Sequence, residues 1–533
     1  MPSRLCSEVT LALLLMNALI FTFDIHIAKL EPSTITVPDD YPSIQEAINN
    51  ADNGDTILVK NGTYHESIIV NKTVSIIGES KETTIVNASG FYDGISITAD
   101  NVTVRELTVR NAAFRGIRIK SSRCYISNSN IIENNEGIFL DGREPEVTVR
   151  NNTIIENSIL RNSDIGISLW ASCHNQILHN TVKDNDFLGI FLYSNASNNT
   201  IKRNEIRNNG DVGILLDLDC SHNILINNNI SYNGFLFIAW WSGVVLNTRC
   251  HENQMLGNKI CDNKRGFFQR YSCNNNIICH NNFINNLEQV YSENPQCMNI
   301  WDYGYPSGGN HWSDYNGTDS YKGIHQNETG SDGLGDTPNV LDADNQDNYP
   351  LMNYYISDVA VIDIILSHSV VGQGHSAYVN VTLANEGSYL ETLNVTLHAN
   401  LTLIQTRTIT LPSENYTTVT FLYDTQGFAK GNYTLRVNAT ITVIPSETDL
   451  TDNTLKDAWI IIAMIGDIIG IDDWPDGKCD MRDVGLVARY FGQTIPPAPP
   501  NCDLSGPING VPDGIIDMRD IGLVARHFGE TDP

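Results

Sequence analysis

A repeated asparagine pattern constrains the fold of this chain more than any other feature. Between residues 175 and 286 it recurs five times: an asparagine, an apolar residue two positions later, and further asparagines after five and ten positions. The copies begin at Asn175, Asn199, Asn223, Asn253 and Asn276. Repeats of this length predict a solenoid, in which each unit buries its apolar face only by stacking on its neighbours.

The repeat units are predicted to be strands. Their apolar stretches are short, alternate with period two and are rich in Ile, Val and Leu, a composition that helix-pair repeats would not tolerate. Glycines open several of them, as at Gly137, Gly166 and Gly189. Asparagine tolerates the left-handed turn conformation, and its amide can hydrogen-bond to the asparagine one coil away. The sequence therefore predicts a mainly β protein whose main domain is a right-handed parallel β-helix with internal asparagine ladders.

Composition and the amino end favour an exported protein. The formal net charge of −29 argues against a nucleic-acid partner, because duplex binding needs clustered Lys and Arg. An apolar run from Leu11 to Phe23, followed by Ala28, predicts a secretory signal peptide over residues 1–28, with an uncleaved anchor as the alternative. We expect no bilayer-spanning segment in the mature chain, which would be extracellular or attached to the cell surface. Sequons such as Asn87-Ala88-Ser89 permit glycosylation.

The cysteines follow the repeat. Cys220, Cys250 and Cys273 each precede a repeat asparagine by three residues, so they are expected to stack on successive coils about 4.8 Å apart. That spacing permits disulfides but also suits a ladder of buried thiols. Nearby histidines leave open a soft-metal site such as copper. They are His174, His222 and His251.

The first segment after the predicted signal peptide has a recognisable form. Ser43 and Glu46 have capping-box spacing and open a short amphipathic helix that ends near Ala51. With Gly54-Asp55-Thr56 after it, this opening resembles the start of secreted pectin-lyase-like β-helix proteins, where a helix covers the open end of the solenoid. An uncovered first coil would expose apolar core and unpaired strand edges. Residues 33–300 are assigned to the β-helix with this cap.

Residues 301–352 break the repeat and are rich in Gly, Asp, Tyr and Trp. Runs such as Gly309-Asn310-His311-Trp312 and Asp347-Asn348-Tyr349-Pro350 resemble the closing segment of NosD-type β-helix proteins of archaea and bacteria. We therefore assign this segment as the carboxyl-terminal cap of the β-helix. Its acidic residues could hold calcium through oxygen ligands, with a solvated acidic loop as the alternative. They are Asp332, Asp336, Asp342, Asp344 and Asp347.

Residues 356–463 alternate without the asparagine repeat. About seven short strands with glycine-containing turns predict an immunoglobulin-like sandwich. The runs Gly372-Gln373-Gly374 and Asn385-Glu386-Gly387 resemble the cell-adhesion-related (CARDB) domain that is often appended to prokaryotic surface proteins. This resemblance implies a role in spacing or adhesion.

Residues 464–533 contain a duplicated segment, in which Asp476–Gly492 returns 37 positions later as Asp513–Gly529. Each copy places Asp, Gly, Asp and Asp at positions five, six, nine and twelve of a calcium loop, followed by an apolar helix face. The pair resembles a type I dockerin, which implies calcium as cofactor and a cohesin-type domain or cell-surface scaffold as partner. Ile469 stands where the first loop would offer an oxygen at position three. The implied metal ligands are Asp467, Asp476, Asp480 and Asp483 in the first loop, and Asp503, Ser505, Asp513, Asp517 and Asp520 in the second.

One outward position at the end of the glycine-opened strands is a candidate binding row. Read coil by coil it holds Lys120, Asp141, Trp170, Tyr193, Asp217, Asn247 and Arg270. Pyranose rings stack on Trp and Tyr, while sugar hydroxyls need polar partners. The carbohydrate-binding candidates are therefore Asp141, Trp170, Tyr193, Asp217 and Arg270. An ordinary outer sheet covered by loops is the alternative.

The sequence supports a catalytic site less well than it supports the binding row. Pectin-lyase-like folds include lyases and hydrolases, and the latter use Asp residues on adjacent coils. Asp184, Asp186, Asp217 and Asp219 could supply such a set, although no known lyase or polygalacturonase motif is intact.

The preferred function is a secreted modular surface protein that binds polysaccharide through its β-helix and docks through a calcium-dependent module. The alternatives are a polysaccharide lyase or glycoside hydrolase, and NosD-like copper handling.

Overall fold

The structure, a computed structural model, describes residues 32–144, 146, 148–234, 241–293, 297–442, 447, 450–470 and 472–532, without the side chain of residue 457. The predicted signal peptide lies outside these residues. Within the described ranges, no helix combines the length and apolar character that a membrane crossing requires.

Residues 34–312 form a parallel β-helix of about 11 turns, in which every coil contributes one strand to each of three sheets. Sheet 1 comprises β1 (Thr34–Val37), β2 (Thr56–Val59), β5 (Ser75–Gly78), β8 (Thr103–Arg105), β11 (Tyr125–Ser127), β14 (Thr153–Ile155), β17 (Gln176–Leu178), β20 (Thr200–Lys202), β23 (Ile224–Ile226), β26 (Gln254–Leu256) and β29 (Ile277–Cys279). Sheet 2 comprises β3 (Gly62–Tyr64), β6 (Thr84–Asn87), β9 (Thr108–Arg110), β12 (Asn130–Ile132), β15 (Ser158–Leu160), β18 (Thr181–Lys183), β21 (Glu205–Arg207), β24 (Asn229–Ser231), β27 (Lys259–Cys261), β30 (Asn282–Ile284) and β32 (His311–Trp312). Sheet 3 comprises β4 (Ile68–Val70), β7 (Asp93–Ile97), β10 (Arg115–Ile119), β13 (Glu136–Asp141), β16 (Ile165–Trp170), β19 (Leu188–Tyr193), β22 (Val212–Asp217), β25 (Ser242–Leu246), β28 (Arg265–Gln269) and β31 (Glu288–Ser292).

The predicted asparagine ladders are confirmed. Three columns of buried asparagines run through the corners of the coils, and each Nδ2 donates to the Oδ1 of the next rung at 2.9–3.2 Å. They extend beyond the five recognised copies, to Asn134 and Asn152 at one end and to Asn299 and Asn310 at the other. Buried amides are therefore paired along the whole stack, as low-dielectric interiors require.

The glycines that open the strands of sheet 3 leave room for these ladders. A Cβ on Gly189 would lie 2.5 Å from the carbonyl oxygen of Gly213 and 2.9 Å from Nδ2 of Asn209. No side chain can occupy that space without displacing the neighbouring coil. Residues after the glycine, such as Ile190 and Leu192, fill the interior between the three sheets.

Both ends of the apolar interior are covered. Helix α1 (Ile44–Asn50) begins at the predicted residue, because the Ser43 side chain caps it by accepting a hydrogen bond from the amide of Glu46 at 3.2 Å. Its buried residues Ile44, Ala47 and Ile48 join the core of the β-helix. At the other end Trp312 stacks on Phe283, with ring centroids 4.4 Å apart. Because β32 pairs with β30, sheet 2 continues past the predicted boundary at residue 300.

Two-stranded ribbons and a two-sheet body follow the β-helix. The ribbons are β33 (Tyr321–Lys322) with β34 (Glu328–Thr329), and β35 (Asn339–Val340) with β36 (Gln346–Asp347). One sheet of the body holds β37 (Val359–Leu366), β39 (Ser376–Asn385) and β42 (Asn415–Asp424). The other holds β38 (Val370–Gly372), β40 (Glu391–Ala399), β41 (Thr402–Leu411), β43 (Gly431–Ile441) and β44 (Thr454–Ala463). Inward residues of both sheets share one core.

The carboxyl-terminal segment contains the two predicted helices, α2 (Met481–Arg489) and α3 (Met518–His527), and a short 3₁₀ turn at Pro500–Cys502. Asp480 and Asp517 cap these helices, each in a reciprocal capping box with the aspartate three residues later. The duplication seen in the sequence is thus a duplication of local structure.

Candidate functional site

The predicted binding row lies on the outer face of sheet 3. Strand pairing aligns Asp141 with Trp170, Trp170 with Tyr193, and Tyr193 with Asp217. Neighbouring rungs of a parallel sheet are about 4.8 Å apart. The predicted alignment of these side chains is therefore present.

Two aromatic rings form the centre of the row. Trp170 and Tyr193 are partly exposed, with ring centroids 4.9 Å apart and planes inclined by 40°. Phe139 meets the edge of Trp170 at 5.9 Å, and Phe191 lies 5.3 Å from Tyr193. The guanidinium of Arg143 lies 4.8 Å from the Trp170 ring. These contacts hold the two rings in place, so an incoming ligand would meet a pre-ordered aromatic surface.

Asp141 does not serve the predicted role. The side chain is 1% exposed, and its carboxylate accepts hydrogen bonds from Arg118 at 2.5 Å and from Arg143 at 2.7 Å. Burial would raise the pKa of Asp141, but the hydrogen bonds from Arg143 and Arg118 outweigh it and hold the pKa well below its ordinary value. Asp141 orients arginines beneath the row and offers no accessible oxygen to a sugar.

Sequence reasoning missed a charged cluster at the opposite end of these strands. Arg115 is 4% exposed, lies between the rings of Phe114 and Phe139, and pairs with Asp93 at 3.6 Å and Glu136 at 3.3 Å. Burial raises the pKa of Glu136 to about 6, against the opposing effect of Arg115. The only signal in the sequence was a charged residue directly before the strand glycine.

The other two members of the row differ in accessibility. Asp217 is partly exposed, and its Oδ1 accepts from the amides of Leu218 and Thr248. Arg270 lies three rungs beyond Tyr193 and pairs with Glu293 at 2.7 Å. Asp217 keeps an oxygen for a ligand, whereas the charge of Arg270 is already neutralised.

The predicted catalytic set is not brought together. Asp184 directly follows β18 of sheet 2 and lies next to Asn208 on the following coil. The exposed Asp186 lies two residues before β19 of sheet 3. Asp217 ends β22 of sheet 3, and Asp219 follows it, paired with Arg249 at 2.6 Å. The two pairs therefore lie at opposite ends of six-residue strands, roughly 20 Å apart at about 3.3 Å per residue. Carboxylates that act together on a glycosidic bond lie about 5–9.5 Å apart, so the expectation of one shared site was wrong.

The repeat cysteines form a column of thiols. Cys250 donates its amide hydrogen to Sγ of Cys273 at 3.4 Å, and Cys273 does the same to Cys297. All ten described cysteines are free thiols. His222 pairs with Glu252, and His251 contacts the carbonyl of Asn274. The predicted stacking of these cysteines on successive coils is therefore present, and the stacked residues are free thiols.

In the twin carboxyl-terminal loops, backbone amides donate hydrogen bonds to buried carboxylates. The carboxylate of Asp467 accepts from the amides of Asp476 and Gly477, and Asp503 does the same for Asp513 and Gly514. Asp483 closes the first loop by accepting from Ile468 and Ile469, and Asp520 closes the second by accepting from Leu504 and Ser505. Burial raises the pKa of Asp467 and Asp503 to about 6, and nearby carboxylates add to it. Buried, mutually repelling oxygens of this kind fit a hard cation.

Arginines engage the remaining predicted ligands. Arg482 bridges Asp476 and Asp480, and Arg519 bridges Asp513 and Asp517. In the described part of the chain, no three His, Cys, Asp or Glu side chains converge on a point that could hold a metal ion. Four of the five predicted acidic residues of the cap, Asp332, Asp336, Asp342 and Asp347, accept hydrogen bonds from separate protein groups. Asp347, for example, accepts from Trp312 and from the amide of Asn310. A calcium ion in the twin loops would have to displace the arginines.

Comparisons with known proteins bear on the β-helix and on the two-sheet body. The A-module of mannuronan C-5 epimerase AlgE6 from Azotobacter vinelandii is 14% identical, with 48% of this chain and 91% of that chain covered and a TM-score of 0.36. The CARDB domain of the PF1109 protein from Pyrococcus furiosus, solved with di-metal ions, is 20% identical over 20% of this chain and 90% of that chain, with a TM-score of 0.18. The Dettilon tailspike protein is 11% identical over 76% and 94%, with a TM-score of 0.33. None of these similarities assigns an activity to this chain.

No curated protein matches the chain. The family model described as periplasmic copper-binding protein (NosD) matches residues 48–237 and 227–317. These two matches together span residues 48–317, just over half of the 533 residues, and coincide with the coils of the β-helix. The chain therefore belongs to the NosD family.

Proposed function

We propose that the β-helix binds a carbohydrate chain along the outer face of sheet 3, with Trp170 and Tyr193 at its centre. The observation that carries this proposal is the pair of partly exposed rings, 4.9 Å apart on successive coils. Sugar rings present apolar C–H faces that stack on such aromatic surfaces. Asp217, one rung further, supplies an accessible oxygen for a hydroxyl. Successive rungs of the sheet are about 4.8 Å apart, so an extended polymer can contact several of them at once.

Affinity electrophoresis in gels that contain polysaccharides tests this proposal. We expect the exported chain to be retarded by at least one polymer, and Tyr193→Ala and Trp170→Ala to reduce that retardation. Loss of one aromatic contact is worth about 0.5–1.5 kcal/mol beyond its buried area, or roughly 2–12-fold in affinity. Tyr125→Ala is the matched control, because Tyr125 is exposed on sheet 1. Retardation that survives both row substitutions would contradict the proposal.

The carboxyl-terminal loops form the second part of the proposal. We propose that they bind calcium and dock onto a cohesin-type domain or cell-surface scaffold. The duplicated loops with buried Asp467 and Asp503 support this idea. When bound, calcium would supply the positive charge that these carboxylates lack. Calorimetric titration of the full chain should show calcium binding that Asp467→Ala with Asp503→Ala removes, while Asp344→Ala, an exposed acid of the cap, leaves it unchanged. The absence of a calcium signal would contradict this part.

Cleavage of the bound polysaccharide is the second candidate function. Glu136 supports it, because a carboxyl group with a pKa of about 6 can exchange protons near neutral pH. The assay is the release of reducing ends or unsaturated products from each polymer that is bound. Under the preferred function no such products form. Products that Glu136→Gln abolishes would establish the enzyme instead. Export and the copper handling that the family description names remain hypotheses for this chain.

A further inference from the structure

Most cations on and beside the binding face are paired with carboxylates of the protein. Six basic side chains lie on or beside the outer face of sheet 3, and each pairs with a carboxylate of the protein. Arg115 pairs with Asp93 and Glu136, Arg118 and Arg143 pair with Asp141, Lys120 pairs with Glu144, Arg265 pairs with Glu288, and Arg270 pairs with Glu293. Two further described cations lie near this face: Arg249, which pairs with Asp219, and Lys264, which lies over the ring of Trp241 at 3.2 Å.

The accessible charges next to the aromatic pair are Arg143, which is paired with Asp141, and Asp217. Asp217 is partly exposed, and its hydrogen bonds come from backbone amides rather than from a basic side chain. The chain as a whole carries a formal net charge of −29. A polyanion on Trp170 and Tyr193 would meet Arg143 only as part of a network of three arginines and three carboxylates, which also contains Arg115, Arg118, Asp93, Glu136 and Asp141. It would be repelled by Asp217 and by the overall field.

From this charge pairing we infer that the ligand of the face is an uncharged glycan; the inference rests on the proposed carbohydrate-binding function. Neutral sugar hydroxyls can donate to Asp217 while their ring faces stack on Trp170 and Tyr193. A uronate polymer would have to break one of the existing ion pairs to find a cation. Drawing Arg143 away would leave the buried carboxylate of Asp141 with Arg118 alone, which is unfavourable where the carboxylate has lost its water.

Pairs of neutral and acidic polymers with the same or a related backbone provide the test. Hydroxyethylcellulose is compared with carboxymethylcellulose, and galactomannan with alginate, in affinity gels with the full chain. We expect retardation by a neutral member of these pairs and none by the acidic members. Retardation by an acidic member would overturn the inference and leave the proposed function standing. Retardation by no polymer would remove the proposed function and the inference together.

A second experiment removes carboxylates that pair with cations on this face. Glu288→Gln with Glu293→Gln removes the charges that neutralise Arg265 and Arg270. We expect this variant to gain retardation by an acidic polymer, and about 1 M salt to abolish the gain, because the Debye length is then about 3 Å. Glu205→Gln is the control, since its partner Arg207 lies on sheet 2. Failure of the double variant to gain acidic-polymer binding would overturn the inference, because charge pairing would not be what excludes polyanions.

Discussion

At the residue scale, the asparagine is the unit that specifies this β-helix. Asn204 is representative: its Oδ1 accepts from both the amide and Nδ2 of Asn180, and its Nδ2 donates to the carbonyl of Ile177 and to Asn228. The sequence predicted these ladders because one side chain must recur at the same corner of every coil. The copy formed by Asn152, Asn157 and Asn162 has the same spacing and lies 23 residues before the next one, so the sequence pattern already contained it. Only Asn134 is displaced, because the coil from Asn134 to Asn162 is 28 residues long.

Replacement of a middle rung tests the ladder. Asn204→Ala would leave several buried donors and acceptors without partners, each at a cost of about 1–3 kcal/mol. We expect a loss of about 4 kcal/mol in the free energy of unfolding of the β-helix, measured by denaturant titration with hydrogen exchange at neighbouring rungs. Gln176→Ala removes an exposed amide from a neighbouring coil and should change stability by less than about 0.5 kcal/mol. Equal effects of the two substitutions would contradict the role of the ladder.

The strand glycines make a second residue-scale prediction. Gly189→Ala places a methyl group 2.5 Å from the Gly213 carbonyl and 2.8 Å from Cγ2 of Ile206, so adjacent coils must separate. We expect a destabilisation of about 1–3 kcal/mol, typical of overpacking. Gly522→Ala, within α3, meets no atom within 4 Å and should instead stabilise its helix by about 0.5–1 kcal/mol. Thermal unfolding monitored by circular dichroism measures both, and a stabilised Gly189→Ala protein would contradict the packing argument.

The site was only partly predictable at this scale. The alternation of one strand places Trp170 and Tyr193 outward, and pairing between equivalent coils aligns them, so local pattern was sufficient. Whether the Asp141 carboxylate is accessible depends on Arg118, which is one coil earlier. It also depends on Arg143, whose position is set by the path of the chain after the strand. The pair of Arg118 with Asp141 joins residues 23 positions apart, and its geometry depends on exact coil lengths that a repeat pattern does not supply.

At the element scale, the three-sided coil explains the error over the aspartates. Asp184 directly follows a strand of sheet 2, whereas Asp217 is the last residue of a strand of sheet 3, so the two carboxylates occupy different corners of the coil. The sequence shows where strands end without showing which side of the coil each occupies. The contact between the β-helix and the two-sheet body was equally hidden: Tyr355 stacks on His280 at 4.4 Å and on Tyr389 at 5.8 Å.

Glu391, which is buried beside Tyr355 at this contact, should make the free energy of unfolding depend on pH. Glu391 accepts a hydrogen bond from the hydroxyl of Tyr355 at 3.1 Å, and burial raises the pKa of Glu391 to about 7 from an ordinary value of 4.5. Because the folded-state pKa is the higher one, unfolded Glu391 ionises first, and stability falls as the pH rises from about 4.5 to about 7. The loss amounts to roughly 3 kcal/mol at 1.36 kcal/mol per unit.

Glu391→Gln isolates this contribution. The substitution removes the ionisable group and retains the acceptor oxygen, so the melting temperature of the variant should fall less between pH 4.5 and about pH 7 than that of the parent. Differential scanning calorimetry across this range provides the measurement. Glu386→Gln, an exposed glutamate of the same body, is the control and should follow the parent. Parallel curves for Glu391→Gln and the parent would contradict the pKa assignment.

At the scale of the whole molecule, the β-helix is a stack whose ends need covering. Each coil pairs with neighbours on both sides, so an end coil presents unpaired strand edges and apolar interior to any similar surface. Helix α1 covers the first coil through Ile44, Ala47 and Ile48, all 0% exposed. The sequence predicted this cover from its capping spacing and position. The opposite cover, built from Trp301 and Trp312 around Phe283, was predicted as a segment but not in its packing.

Loss of the amino-terminal cover should convert a monomer into an associating protein. Ile48→Asp places an unpaired carboxylate in the core, at a cost of several kcal/mol that exceeds what a helix of two turns gains by docking. The helix would detach and leave the edge of the first coil open to a second chain. Light scattering should then show concentration-dependent oligomers. Asn49→Asp adds the same charge at an exposed position of α1 and should remain monomeric. A monomeric Ile48→Asp protein would show that covering the end is not what keeps the β-helix from pairing with itself.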